Sequence, residues 1–243
     1  VRLKVLSSAN VGYGTNHLAI ELSALTAFLA VFDGEEICRD IQGDGEDLRA
    51  FAKAYLRRFM DYMNDGGYWA EADGPANSYN SLTANSLLRA AMDLGQVARY
   101  RRHFEKAAHF HTWYAFPNLA TAGVTDGRNH QMKLPIRLSY CGLIPEGRAL
   151  LRAALEEGLA ETKRGALKMN GEGMHERMTD ILAAPHYART EKPLIWTRRN
   201  FSDTIRNDFA ILKSGDWMAS VSNFVFRPRP EGARILRDSA WGS

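Results

Sequence analysis

From Thr15 onward, apolar residues recur at helical rather than strand spacing. Leu18, Leu22, Leu25, Leu29 and Phe32 mark one face of a first strong helix, and Ile20, Ala24, Ala27 and Val31 mark a second, so this helix is expected to be buried on two sides. Asp33 and Gly34 end it. A turn-rich stretch then leads to an amphipathic helix carrying Leu48, Phe51, Ala52, Tyr55, Leu56, Phe59 and Met63. Residues 65–96 join an unusual loop to another helix, whose stripe is Leu82, Leu87, Leu88, Ala91 and Met92 before Gly95. The spacing of Tyr100, Phe104, Ala107, His111 and Tyr114 predicts a fourth helix over 97–114. Residues 115–144 read as irregular, with short strands near 120–125 and 133–139. Helices follow over 146–164 and 173–184, the second stopped by Pro185.

From Leu194 the pattern alternates: LIWTRRNF, then DFAILKSGDWMASVSNFVFRP with a turn at Ser214, Gly215 and Asp216, then ARILRD. The expected architecture is a mainly α domain over 1–190, an incomplete α/α toroid of helical hairpins, and an antiparallel β segment over 191–243. The helix pairs recur every ~30 to 40 residues, which fits stacked hairpins.

Composition narrows the partners more than the fold. The 243 residues carry 31 basic and 28 acidic side chains, a net charge of +3 too even to point to nucleic acid without a clustered patch. The short basic runs, Arg57 with Arg58, residues 99–102, and Arg198 with Arg199, read as solvated helix ends. Two cysteines, Cys38 and Cys141, allow at most one disulfide and define no metal site. Neither an apolar run of the ~18 residues a membrane span needs nor a signal peptide is expected.

The candidate chemistry gathers at loop-to-helix junctions. Asn16 and His17 open the first strong helix; an amide beside a neutral imidazole suits carboxylate binding and proton handling, and simple helix capping is the alternative. In DGGYWAEADGPANSYN, residues 65–80, glycines and Pro75 permit tight geometry around Trp69, Glu71, Asp73, Asn77, Tyr79 and Asn80. Tyr79, just ahead of the helix, is placed to deliver a phenolic proton, or else to pack under the loop. The turn TDGRNHQ offers Arg128, Asn129 and His130, of which Arg128 suits bidentate carboxylate or sulfate binding. His103, His109 and His111 scatter around a helix axis and make no metal cluster, and His111 falls on the apolar stripe. Glu71 and Asp73 leave open a hydrolase carboxylate pair.

These residues resemble the heparinase II/III-like polysaccharide lyases and their alginate-lyase relatives. The likeness rests on the pair Asn16 and His17 opening a long helix and on G-Y-x-x-E-x-x-G-P-x-x-x-Y over residues 67–79, with AFPNLATAGVTDGRN as a further echo. It implies an α/α toroid followed by an antiparallel β-sandwich, and β-elimination on an acidic, uronate-containing polysaccharide. It also implies Asn16 as carboxylate neutraliser, His17 or Tyr79 as base and Tyr79 as acid. Asn77, Asn80, Glu71, Trp69, Arg128, Asn129 and His130 are then substrate-binding candidates, with no cofactor, no metal, no nucleic-acid partner and a periplasmic or extracellular location. Such lyases draw a further His or Tyr from the β-domain, and after His186 and Tyr187 this chain has neither, so it is read as a fragment or shortened relative. The alternatives are an α/α-toroid glycoside hydrolase and a catalytically silent carbohydrate-binding protein using Trp69, Trp113 and Tyr68 as stacking platforms.

Overall fold

A computed structural model describes residues 15–32, 47–69, 77–120, 137–164, 181–205 and 209–222. The described part is mostly helical, with one small antiparallel sheet at its C-terminal end. Five longer helices come first: α1 Thr15–Phe32, α2 Leu48–Tyr62, α3 Asn77–Asp93, α4 Val97–Trp113 and α5 Pro145–Lys163.

Sequence sets several of the boundaries. Asp47 has an extended backbone and accepts through Oδ1 from the N–H groups of Arg49 (2.9 Å) and Ala50 (3.0 Å), satisfying two donors that α2 leaves open. Asp47→Ala is expected to cost about 1 kcal/mol of stability, read from denaturant unfolding. At residues 94–96 the chain turns on Gly95, at φ +66°, with the Gln96 N–H returning to Ala91 O at 2.7 Å. So short a turn folds α4 back antiparallel to α3.

Gly67 has a more demanding task. It adopts φ +83°, and a Cβ there would run into the Lys106 carbonyl of α4. Gly67→Ala is therefore expected to destabilise the fold by about 1–3 kcal/mol, with a matching fall in unfolding midpoint.

One core joins the helices: Leu22 and Leu29 of α1, Leu56 and Phe59 of α2, Leu87 and Leu88 of α3, Phe104 of α4 and Leu150 of α5 are all buried. The apolar stripe expected on α4 is buried throughout, from Tyr100 to Tyr114. α1 differs from its expectation. Leu18, Ala19, Leu22, Thr26 and Leu29 are inside, but Ile20 (41% exposed) and Val31 (70% exposed) face out, so the helix is buried on one side only. By length and composition α1 could also cross a bilayer, with a mean hydropathy of 1.4, despite the expectation that the chain holds no such run. Among the described residues it serves as a core helix packed against α2 and α3.

Two expected strands are corrected. Residues 137–138 have no regular structure and Ser139–Leu143 forms a 3₁₀ turn, closed by Cys141 N–H to Leu138 O at 2.8 Å; the rest of that candidate strand lies outside the described residues. Ile195–Thr197 is likewise 3₁₀, with the Thr197 N–H and hydroxyl both donating to Leu194 O, so the sheet starts later than the alternating pattern implied. Of the helix expected over 173–184, residues 181–183 are helical and 173–180 lie outside the described residues; Pro185 sits inside the 3₁₀ turn Ala184–His186 that follows.

The sheet holds β1 Asn200–Ile205, β2 Phe209–Ser214 and β3 Trp217–Ser222 in that order, all antiparallel. Asn200 pairs with Ser214, which pairs with Trp217 across the turn at Gly215. Ile211 is buried from the inner face of the sheet, with Phe201 and Met218 half-buried beside it, against Tyr68, Phe110 and Tyr114. Leu212, Trp217 and Val221 are exposed. Trp113 meets Phe201 edge-on at 5.8 Å, and His109 bonds Asp203 at 3.2 Å, so the sheet is fastened to the C-terminal half of α4.

Candidate functional site at the shared end of two helices

Thr26, late in α1, donates through Oγ1 to Oδ2 of Asp93, the last residue of α3, at 3.1 Å. Arg89 steadies the same carboxylate at 3.5 Å. α1 and α3 also share the widest interface between helices among the described residues. An antiparallel pair joined at these two residues would overlap only along residues 26–32, too short a stretch for that interface. The helices therefore run parallel, with both N-termini at one end of the bundle. Stepping back from the Thr26–Asp93 bond at ~1.5 Å per residue, Asn16 stands about 15 Å away and Tyr79 about 21 Å away, in the same direction.

Of the residues singled out by sequence, Asn16, His17, Asn77 and Tyr79 stand toward that end. Thr15 and Asn16 are buried and His17 is exposed. Asn77 opens α3, and Tyr79 is half-buried within its first turn rather than ahead of the helix as expected. Neither helix has an acidic residue in its first turn, so two positive helix ends face the same region uncompensated from within, an arrangement that favours an anion. Asn16 is only 4% exposed, and its Oδ1 has no partner among the described residues. A buried carbonyl oxygen left unpaired is costly, and being an acceptor it calls for a donor rather than for an anion.

Two expected contact residues serve the fold instead. Asn80 is buried, its Oδ1 accepting the Trp69 N–H at 2.9 Å. Trp69 is 1% exposed, with its indole N–H donating to Phe59 O at 2.8 Å. This corrects the reading of Trp69 as a stacking platform, because the ring lies in the core and presents no face to a sugar. Tyr68 is buried against Phe110, and Trp113 is half-buried under the sheet, held by Phe201 and by Arg198 at 5.5 Å, so neither offers a free face either. Glu71, Asp73, Arg128, Asn129, His130 and Cys38 lie outside the described residues. Cys141 is wholly buried.

No family model, curated protein or solved structure matches this chain.

Two features of the region escaped the sequence reading. First, α3 carries a polar stripe inside the bundle, Asn80 with Thr83 and Ser81 with Asn85, all buried. Its three- and four-residue spacing was a readable signal, since polar groups on the inward stripe of a helix need partners. Asn85 Oδ1 accepts from the Ser139 hydroxyl. Second, α4 returns antiparallel to α3, so its C-terminal half, with the sheet attached, lies toward the end where Asn16 and Tyr79 stand. Asp203 of the sheet is close enough to act on Tyr114, whose phenol is pushed well above its usual range by burial and then by that carboxylate.

A separate polar group lies in the core. His111 Nδ1 is 2.9 Å from the Tyr140 hydroxyl and 3.3 Å from Ala107 O. Burial, with Cys141 adjacent, drives the Tyr140 phenol far upward, so it stays protonated beside the imidazole. His111 is thus a satisfied core histidine. His103 is pushed below the usual imidazole range by burial and then by Lys106, which favours its neutral form.

Proposed function

We propose that the protein is a polysaccharide lyase of the heparinase II/III-like kind, cleaving an acidic, uronate-containing polysaccharide by β-elimination. In this reading the helices belong to an incomplete α/α toroid and the three strands open a β-sandwich. The observation that carries it is the parallel run of α1 and α3, which gives Asn16, His17 and Tyr79 one shared end of the bundle. Two helix N-termini at that end, neither with an acidic residue in its first turn, suit a carboxylate substrate.

The chemistry then follows from residue types. The Asn16 amide donates to the uronate carboxylate, with Arg128 assisting, and draws off charge as the adjacent C5–H becomes acidic. Exposed His17, or Tyr79 as phenolate, takes the C5 proton. The electron pair forms a C4–C5 double bond, the bond from C4 to the glycosidic oxygen breaks, and Tyr79 returns a proton to the leaving oxygen. The location proposed is periplasmic or extracellular, where such polymers occur.

The test is incubation with alginate, hyaluronan, chondroitin and heparan preparations, following ultraviolet absorbance of the new double bond alongside reducing ends. Both signals should rise together on at least one polymer. Reducing ends without absorbance would instead identify a hydrolase, and binding with neither signal a silent carbohydrate-binding protein.

A further inference from the structure

Arg99, Arg102 and Lys106 occupy one exposed line along α4, at three- and four-residue spacing. None of them has an ion pair among the described residues, and Arg99 is in contact with the Tyr100 ring at 5.4 Å. Their neighbours are differently engaged. Arg101 bonds Glu105 at 2.7 Å and reaches the carbonyls of Leu143 and His186, so it is a structural clamp that also consumes the nearest carboxylate on the helix. Asp61, the carboxylate acting on His103 between them, is already paired with Arg57 at 3.6 Å.

This charge pattern works against the helix that bears it. α4 begins with no acidic residue in its first turn and no side-chain cap on Gln96, and it places Arg99 at its positive end. Like charges at successive three- and four-residue steps add repulsion. Such a line is explained if a polyanion neutralises it.

We propose that Arg99, Arg102 and Lys106 form an outer docking stripe that holds the acidic polysaccharide away from the catalytic end. The inference rests on the proposed substrate class. α4 starts where α3 ends, so the stripe begins at the end of the bundle opposite to Asn16 and Tyr79 and runs part of the way back toward them. A long chain seated on the stripe is retained between cleavage events without touching the reacting atoms. Cations in a line match a polymer carrying one carboxylate per repeat, and exposure gives fast, salt-sensitive capture.

The test is binding of a fluorescently labelled polyuronate of uniform length to the full chain carrying Tyr79→Phe, which should cleave the polymer far more slowly than a binding measurement takes. Binding is read without turnover, so a failed lyase reading and a failed stripe are separate results. Charge reversal with Arg99→Glu, Arg102→Glu and Lys106→Glu should weaken binding roughly tenfold or more at low salt and flatten its salt dependence. The same variant should melt close to its parent, because the three side chains are exposed and have no ion pair among the described residues. Should its melting fall, Arg102→Gln with Lys106→Gln decides by the same loss of binding at unchanged melting. Unchanged affinity in the folded variant overturns the stripe, and so does duplex DNA of equal charge binding as tightly as the polyuronate.

Discussion

Tyr79→Phe is expected to lower elimination turnover by about 10²-fold or more, the scale of a positioned acid–base group, while changing stability by only ~1 kcal/mol, the scale of one hydrogen bond. The substitution keeps the ring and nearly all its packing and removes one hydroxyl. Tyr79 is half-buried in the first turn of α3, and the proposed elimination asks its hydroxyl for a proton. A tyrosine that only filled space would give the opposite pair of results, altered melting with unaltered turnover per folded molecule. Measuring turnover and thermal unfolding on one preparation separates the two.

Trp69→Ala is expected to remove about 3–5 kcal/mol of stability, the range for truncating a large buried aromatic. Trp69 is 1% exposed and among the largest side chains wholly inside the molecule. Its indole N–H donates to Phe59 O in α2, and its backbone N–H donates to Asn80 in α3, so it joins two helices by hydrogen bonds as well as by packing. Small domains are stable by only about 5–15 kcal/mol in total, so the loss is a large fraction of the whole. Denaturant unfolding should show a much lower midpoint. Were the ring a sugar platform, polysaccharide binding would fall while the midpoint stayed in place.

The sequence was most legible where one face of an element is buried and the other wet. The stripe from Tyr100 to Tyr114 marked α4 to within a residue, and it carried His111 correctly into the core. The β2–β3 turn was marked by Gly215, which takes φ +58°. Legibility failed where apolar residues surround an element or stand in a short run. α1 carries apolar residues on two faces, so its pattern could not say that Ile20 and Val31 face outward. The run from Leu194 to Trp196 is too short to separate a strand from a 3₁₀ turn.

Trp69 misled for another reason: polar residues and glycines around it look like a site, whereas the two hydrogen bonds that draw it inward come from Phe59 and Asn80, ten and eleven residues distant. The start of α3 was set late because Asn77 and Ser78 resemble caps but are helical. The parallel placement of α1 and α3 depends on a bond between residues 67 apart in sequence, which no local pattern encodes.

Mass spectrometry of the products from a purified polyuronate tests the central claim most directly. Elimination leaves each new non-reducing end with a C4–C5 double bond and a fragment lighter by one water than the hydrolytic product. The wild-type chain should yield such fragments, and Tyr79→Phe should yield them far more slowly. Fragments of full hydrolytic mass, or an unaltered polymer in the presence of folded wild-type protein, would contradict the lyase assignment.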